Sequence, residues 1–178
     1  MEIQITKPMP VAKAYSKGLP EQQVRRMATD LANALSMFAQ RGIVHQAVKT
    51  VNVFITPDGD FWLGAPLSKK ETNIPCGGDL ACMCPEMYWG ASFDSRADVY
   101  SLGILLYTML NEGRLPLTEE GASMEDVKAA CLRRLEGAEL SPPKNGSAQI
   151  QQAVLKACAY EPSRRFADFA ELKEAFRG

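Results

Sequence analysis

Apolar residues in "LPEQQVRRMATDLANALSMFAQRG", residues 19–42, fall at Val24, Met27, Leu31, Leu35 and Phe38. That three-and-four spacing predicts an amphipathic helix of about five to six turns, with Pro20 and Glu21 suited to its first turn and Gly42 to its end. The period then changes. In "VNVFITPDGDFWLG", residues 51–64, two short runs of β-branched and aromatic residues flank Pro57, Asp58 and Gly59, which predicts a hairpin and the only β element of the chain. Residues 67–90 are rich in Gly, Pro and Cys and read as irregular. "SRADVYSLGILLYTMLNEG", residues 95–113, is apolar nearly all round, the mark of a helix buried inside a domain, with Gly113 placed to end it. Three more helices follow, in "SMEDVKAACLRRLEG" with Ser123 as N-cap, "SAQIQQAVLKACAY" and "DFAELKEAFRG".

The expected architecture is therefore mainly α with one small β-hairpin (α+β). The polar linker "AELSPPKNGS" leaves too little chain on either side to stand alone, so residues 1–178 are expected to form one domain. A hydrophobic content of 46% is enough for a buried core.

Charge narrows the partners. Twenty basic and twenty-one acidic residues give a net charge of -1 with no block of like charge, so neither nucleic acid nor a membrane surface is an expected partner. The apolar run "VYSLGILLYTML" is too short to span a bilayer, and the start "MEIQITKPMP" is too polar for a secretory signal. A cytoplasmic location is the expectation. Five cysteines, at 76, 82, 84, 131 and 158, show no disulfide framework. Cys76, Cys82 and Cys84 lie close together, but there is no CxxC pair and the sole histidine is His45, so no metal site is expected.

Five ordered blocks resemble the large, C-terminal lobe of the protein kinase fold, in particular that of bacterial Ser/Thr kinases. "GIVHQAVKTVNVFI" is similar to the catalytic loop His-Arg-Asp-x-Lys-x-x-Asn, with His45, Lys49 and Asn52 matched at the right spacing. "FWLGAPLSKK" falls where the family has Leu-Gly-Asp-Phe-Gly. "GGDLACMCPEMYWG" resembles the end of the activation segment, with Cys84-Pro85-Glu86 for Ala-Pro-Glu. Asp98 matches the aspartate of the buried central helix, and Arg165 the arginine that pairs with the glutamate. The resemblance runs from a hinge-like "MEI" at residues 1–3 to the last helix, and the family's small lobe, with its Gly-rich loop, would precede residue 1.

The resemblance also shows what is replaced. The aspartate that accepts the substrate's proton is Ala47, and the metal-binding aspartate is Ala65. A methyl group takes no proton, and losing a general base typically costs about a hundred- to ten-thousandfold. Hard cations need oxygen ligands, which an alanine lacks. Gln46 replaces the arginine that in many kinases receives a phosphorylated loop. The expectation is thus a pseudokinase, a non-enzyme acting in protein-protein interaction or regulation. No cofactor and no metal are expected, and Lys49, Asn52 and Phe54 remain as vestiges of a nucleotide site. The alternative is a truncated Ser/Thr kinase domain with residual ATP binding or transfer once a small lobe is supplied. His45, Glu86, Asp98 and Arg165 take architectural roles, Glu86 with Arg165 as a largely buried ion pair and Asp98 as acceptor of catalytic-loop N–H groups. Met1, Ile3, Val53, Phe54 and Ala65-Pro66-Leu67 would form an apolar lobe-facing surface, to be covered by a protein partner or by a second copy.

Overall fold

The computed structural model of the chain describes residues 7–67 and 80–177. Expectations for Met1, Ile3 and Cys76 lie outside the described residues.

The first long helix, α2 (Glu21–Ala39), follows the predicted periodicity: Val24, Met27, Leu31 and Leu35 are buried along one stripe. Pro20 is its N-cap rather than its first turn, and the chain leaves the helix through Gly42 at φ 68°. Before it stand two short elements that periodicity does not reveal, strand β1 (Met9–Pro10) and helix α1 (Val11–Ala14).

The hairpin forms as β2 (Val53–Ile55) and β3 (Phe61–Leu63), with Gly59 at φ 82° in the turn. It is not the whole sheet, because β1 pairs antiparallel with β2, giving the order β1-β2-β3. Two residues of strand carry too little pattern to be read from sequence, and only the pairing identifies them. Pro10, Phe54 and Trp62 stand opposite one another and share one face of the sheet. Val53, Ile55 and Phe61 are buried on the other.

The irregular stretch ends in α3 (Pro85–Tyr88), with Pro85 at its first position. Helix α4 (Arg96–Leu110) is the axis of the fold, and every residue from Ala97 to Leu110 is buried. Helix α6 (Ala148–Ala157) lies against it so closely that a Cβ on Gly103 would stand 2.8 Å from the Ala157 Cβ. Between them, α5 (Met124–Leu135) opens with a capping box in which Ser123 and Asp126 satisfy each other's backbone N–H. A 3-10 turn at Pro162–Arg164 and helix α7 (Phe169–Ala175) close the chain, α7 packing on α2. Among the described residues no helix is long and apolar enough to cross a membrane.

Candidate functional site

Residues 45–52 form a loop without regular structure, so its backbone groups must find partners elsewhere. Asp98, in the first turn of α4, supplies two of them. Its carboxylate accepts the N–H of His45 at 2.6 Å and that of Gln46 at 2.8 Å. Gln46 adopts φ 61°, a left-handed conformation that costs a side-chain-bearing residue energy, and Asp98 holds it there. Burial raises the Asp98 pKa to about 6, outweighing the two N–H groups that favour its charged form.

His45 is fully buried and ties the loop to the end of β3. Its Nδ1 accepts the Ala47 N–H at 3.3 Å, which leaves Nε2 to donate to the Gly64 carbonyl at 3.0 Å. Burial lowers its pKa against the opposing effect of that carbonyl, consistent with a neutral ring.

Asn52 bridges the two positions where acids are replaced. Its Nδ2 donates to the Ala47 carbonyl at 3.0 Å and to the Ala65 carbonyl at 3.0 Å. Its Oδ1 packs on Gly64, where a Cβ would stand only 2.1 Å away. The segment is further laced by Gly64 N–H to Asn52 O at 2.8 Å and Leu67 N–H to His45 O at 3.0 Å. Residues 45–47, 52 and 64–67 thus form one hydrogen-bonded unit. Ala47 is buried within it and Ala65 is exposed. Lys49 is half-buried, and its carbonyl accepts the Asn52 N–H at 2.9 Å.

The magnesium implied by the kinase fold does not fit these residues. Side chains 47 and 65 carry no oxygen, and the Asn52 amide nitrogen is held by the Ala47 and Ala65 carbonyls, which leaves its Oδ1 as the one side-chain oxygen of these three positions, too few for a hard cation. Among the described residues no cluster of three or more His, Cys, Asp or Glu side chains is placed to hold a metal ion.

A second group is built around a buried ion pair. Arg165, whose side chain is fully buried, meets Glu86 in a two-point ion pair, at 2.5 and 2.8 Å, and also donates to the carbonyls of Arg96, Ala159 and Tyr160. Burial would raise the Glu86 pKa, but the Arg165 guanidinium carries it below its ordinary value.

Phe54 is half-buried on the face shared with Pro10 and Trp62. Val53 departs from its expected place on that face. It is fully buried, because a strand sends neighbours to opposite sides and Val53 falls on the core side. Sequence reasoning missed Trp62 on this face, 56% exposed, and Val51, a residue before the hairpin that is 57% exposed. It also missed Arg134, a buried cation on α5. An exposed Trp at a strand position opposite Phe54 is a signal the hairpin register could have given. An arginine in an amphipathic helix offers none.

Comparison with known proteins agrees with this geometry. The protein kinase domain family matches residues 3–176. The serine/threonine-protein kinase drp72 of Corynebacterium efficiens is 32% identical over 88% of this chain and 30% of its own length. Serine/threonine-protein kinase Pkn1 of Myxococcus xanthus is 30% identical over 84% of this chain and 23% of its own. For PknB of Mycobacterium leprae the figures are 30%, 87% and 26%. The chain therefore spans between 23% and 30% of the length of these relatives. These matches correct the expectation of a non-enzyme drawn from Ala47 and Ala65: the matched family and the relatives' names point to a kinase. From its buried Glu86–Arg165 pair to the loop held by Asp98, over residues 3–176, the chain belongs to the protein kinase domain family.

Proposed function

We propose that this chain supplies the large lobe of a Ser/Thr protein kinase domain and supports phosphoryl transfer, at a reduced rate, when a small lobe completes the nucleotide site. The observation that carries this reading is the hydrogen-bonded unit of residues 45–47, 52 and 64–67. The loop that orients the reacting groups in this family keeps its connections to β3 and to α4 through His45, Asn52 and Asp98. Transfer of a phosphoryl group depends strongly on such positioning, which a frame without carboxylates can still supply. The missing base at Ala47 lowers the rate by about a hundred- to ten-thousandfold relative to an aspartate there, and the missing metal ligand at Ala65 lowers it further.

The test is a fusion of this chain to the small lobe of a related bacterial kinase, assayed for transfer of labelled phosphate to a Ser/Thr protein substrate. The expected result is slow transfer by the native chain and a gain of roughly a hundredfold or more in Ala47→Asp/Ala65→Asp. An active double variant beside a native fusion indistinguishable from buffer would overturn the reading.

A second reading concerns a protein contact on the lobe-facing surface. It is favoured by the exposed Trp62 opposite half-buried Phe54, with exposed Ala65 and half-buried Pro66 and Leu67 following β3. A protein partner, either a small lobe or a second copy of the chain, covers this face. Light scattering on the native chain and on Trp62→Glu tests it, with loss of the complex in the variant expected and an unchanged complex counting against it.

A further inference from the structure

We infer that Arg134 is a positioning residue that couples α5 to residues 80–84, so that the conformation of this stretch follows the seating of α5. Arg134 is 2% exposed near the end of the helix. Its Nη2 donates to the Leu80 carbonyl at 2.7 Å and the Ala81 carbonyl at 3.2 Å, and its Nη1 to the Met83 carbonyl at 3.0 Å. Nη1 also donates to the Tyr100 hydroxyl of α4 at 2.6 Å. Two guanidiniums lie over the Tyr100 ring, Arg134 at 5.3 Å and Arg165 at 4.6 Å from its centroid.

Residues 80–84 belong to no helix or strand, and among the described residues no backbone N–H serves the carbonyls of 80, 81 and 83. A single planar fork from another element therefore does the work that a ladder of N–H groups does in regular structure. The helix that carries this fork is seated mainly at its far end. Ala130, Cys131, Arg134 and Leu135 are its buried residues, the Trp89 indole donates to the Leu135 carbonyl at 3.0 Å, and Met124 at the other end is 84% exposed. Lifting α5 withdraws donors from three carbonyls at once. Conversely, a ligand or protein that rearranges residues 80–84 is felt at α5. The coupling needs no nucleotide and stands or falls apart from phosphoryl transfer.

The cysteines supply the readout. Cys82 reports on the stretch, Cys131 on α5 and Cys158 on the α6 end of the core, and all three are at most 8% exposed. Alkylation by N-ethylmaleimide under native conditions, followed site by site by mass spectrometry, is expected to speed up at least tenfold at Cys82 and Cys131 in Arg134→Met, with Cys158 much less affected. Arg134→Lys, which keeps the charge but cannot span the three carbonyls, is expected to show the same selectivity in milder form, and it carries the test if the methionine variant fails to fold. Tyr100→Phe keeps the carbonyl contacts and is expected to label like the native chain. A uniform rise at all three cysteines, no rise at Cys82, or a Tyr100→Phe pattern equal to that of Arg134→Met would each overturn the coupling.

Discussion

The guanidinium of Arg165 closes on the carboxylate of Glu86 through two parallel contacts, Nη1 to Oε1 at 2.5 Å and Nη2 to Oε2 at 2.8 Å. The residues lie 79 positions apart, so the pair staples α3 to the turn that follows α6. Removing one partner strands the other charge in the core. Arg165→Met is expected to lower the unfolding free energy by about 3–5 kcal/mol in urea titration, because three carbonyls lose their donor as well. Glu86→Gln keeps one acceptor for Arg165 and is expected to cost less. An Arg165→Met midpoint equal to that of the native chain would remove the pair from any account of stability.

Protonation should act on the loop through Asp98. Its pKa rises from an ordinary 3.8 to about 6 in the folded chain, so the folded state binds the proton more tightly than the unfolded one. The linked stability is fully present below 3.8 and is lost as pH rises through about 6. His45 acts in the opposite sense. Burial lowers its pKa below 6.5, so its contribution is present above 6.5 and is lost as pH falls through its folded value. Asp98→Asn removes only the first dependence. The cost of that substitution should be larger at pH 4 than at pH 7, by on the order of 2–3 kcal/mol. Chemical unfolding of both proteins at the two pH values measures it, and a cost independent of pH would contradict the assignment.

Gly64 permits the Asn52 bridge. A Cβ there would stand 2.1 Å from Asn52 Oδ1, so Gly64→Ala must push the amide off the Ala47 and Ala65 carbonyls. The expected cost is about 1–3 kcal/mol, the range for forcing extra atoms into packed surroundings. Adding Asn52→Ala, which clears the space, should make the cost of the glycine substitution nearly vanish. A double-mutant cycle reads this directly, and strict additivity would show that the clash is relieved elsewhere.

How far the sequence reached can be told from such residues. The stripe Val24, Met27, Leu31 and Leu35, the hairpin around Gly59 and the Ser123 cap were legible because each is a local pattern with a local cause. Val53 and Phe54 were not separable, since both are apolar and only the strand's register sends one inward and the other to the sheet's outer face. β1 was invisible because its two residues gain meaning only against Ile55 and Phe54, far along the chain. Arg134 is the clearest case. Its helix predicts a solvated cation, and the carbonyls that bury it belong to a stretch about 50 residues away with no periodic pattern at all.

The two alanines of the site should differ when converted to aspartate. Ala65 is exposed, so Ala65→Asp is expected to stay within about 0.5 kcal/mol of the native chain. Ala47 is 6% exposed and is hydrogen-bonded through its backbone to His45 and Asn52, so a carboxylate there is desolvated. Ala47→Asp alone is expected to destabilise by about 1–3 kcal/mol. With both acids in place, oxygen ligands face the Asn52 amide from two sides, and magnesium should then bind. Ligand that binds only the folded state raises its stability, by about 2.7 kcal/mol at a hundred times the dissociation constant. Thermal unfolding with and without millimolar magnesium should therefore separate the double variant, which shifts upward, from the native chain, which does not. A native chain that shifts as far as the double variant would show that oxygen ligands other than those at 47 and 65 hold the ion.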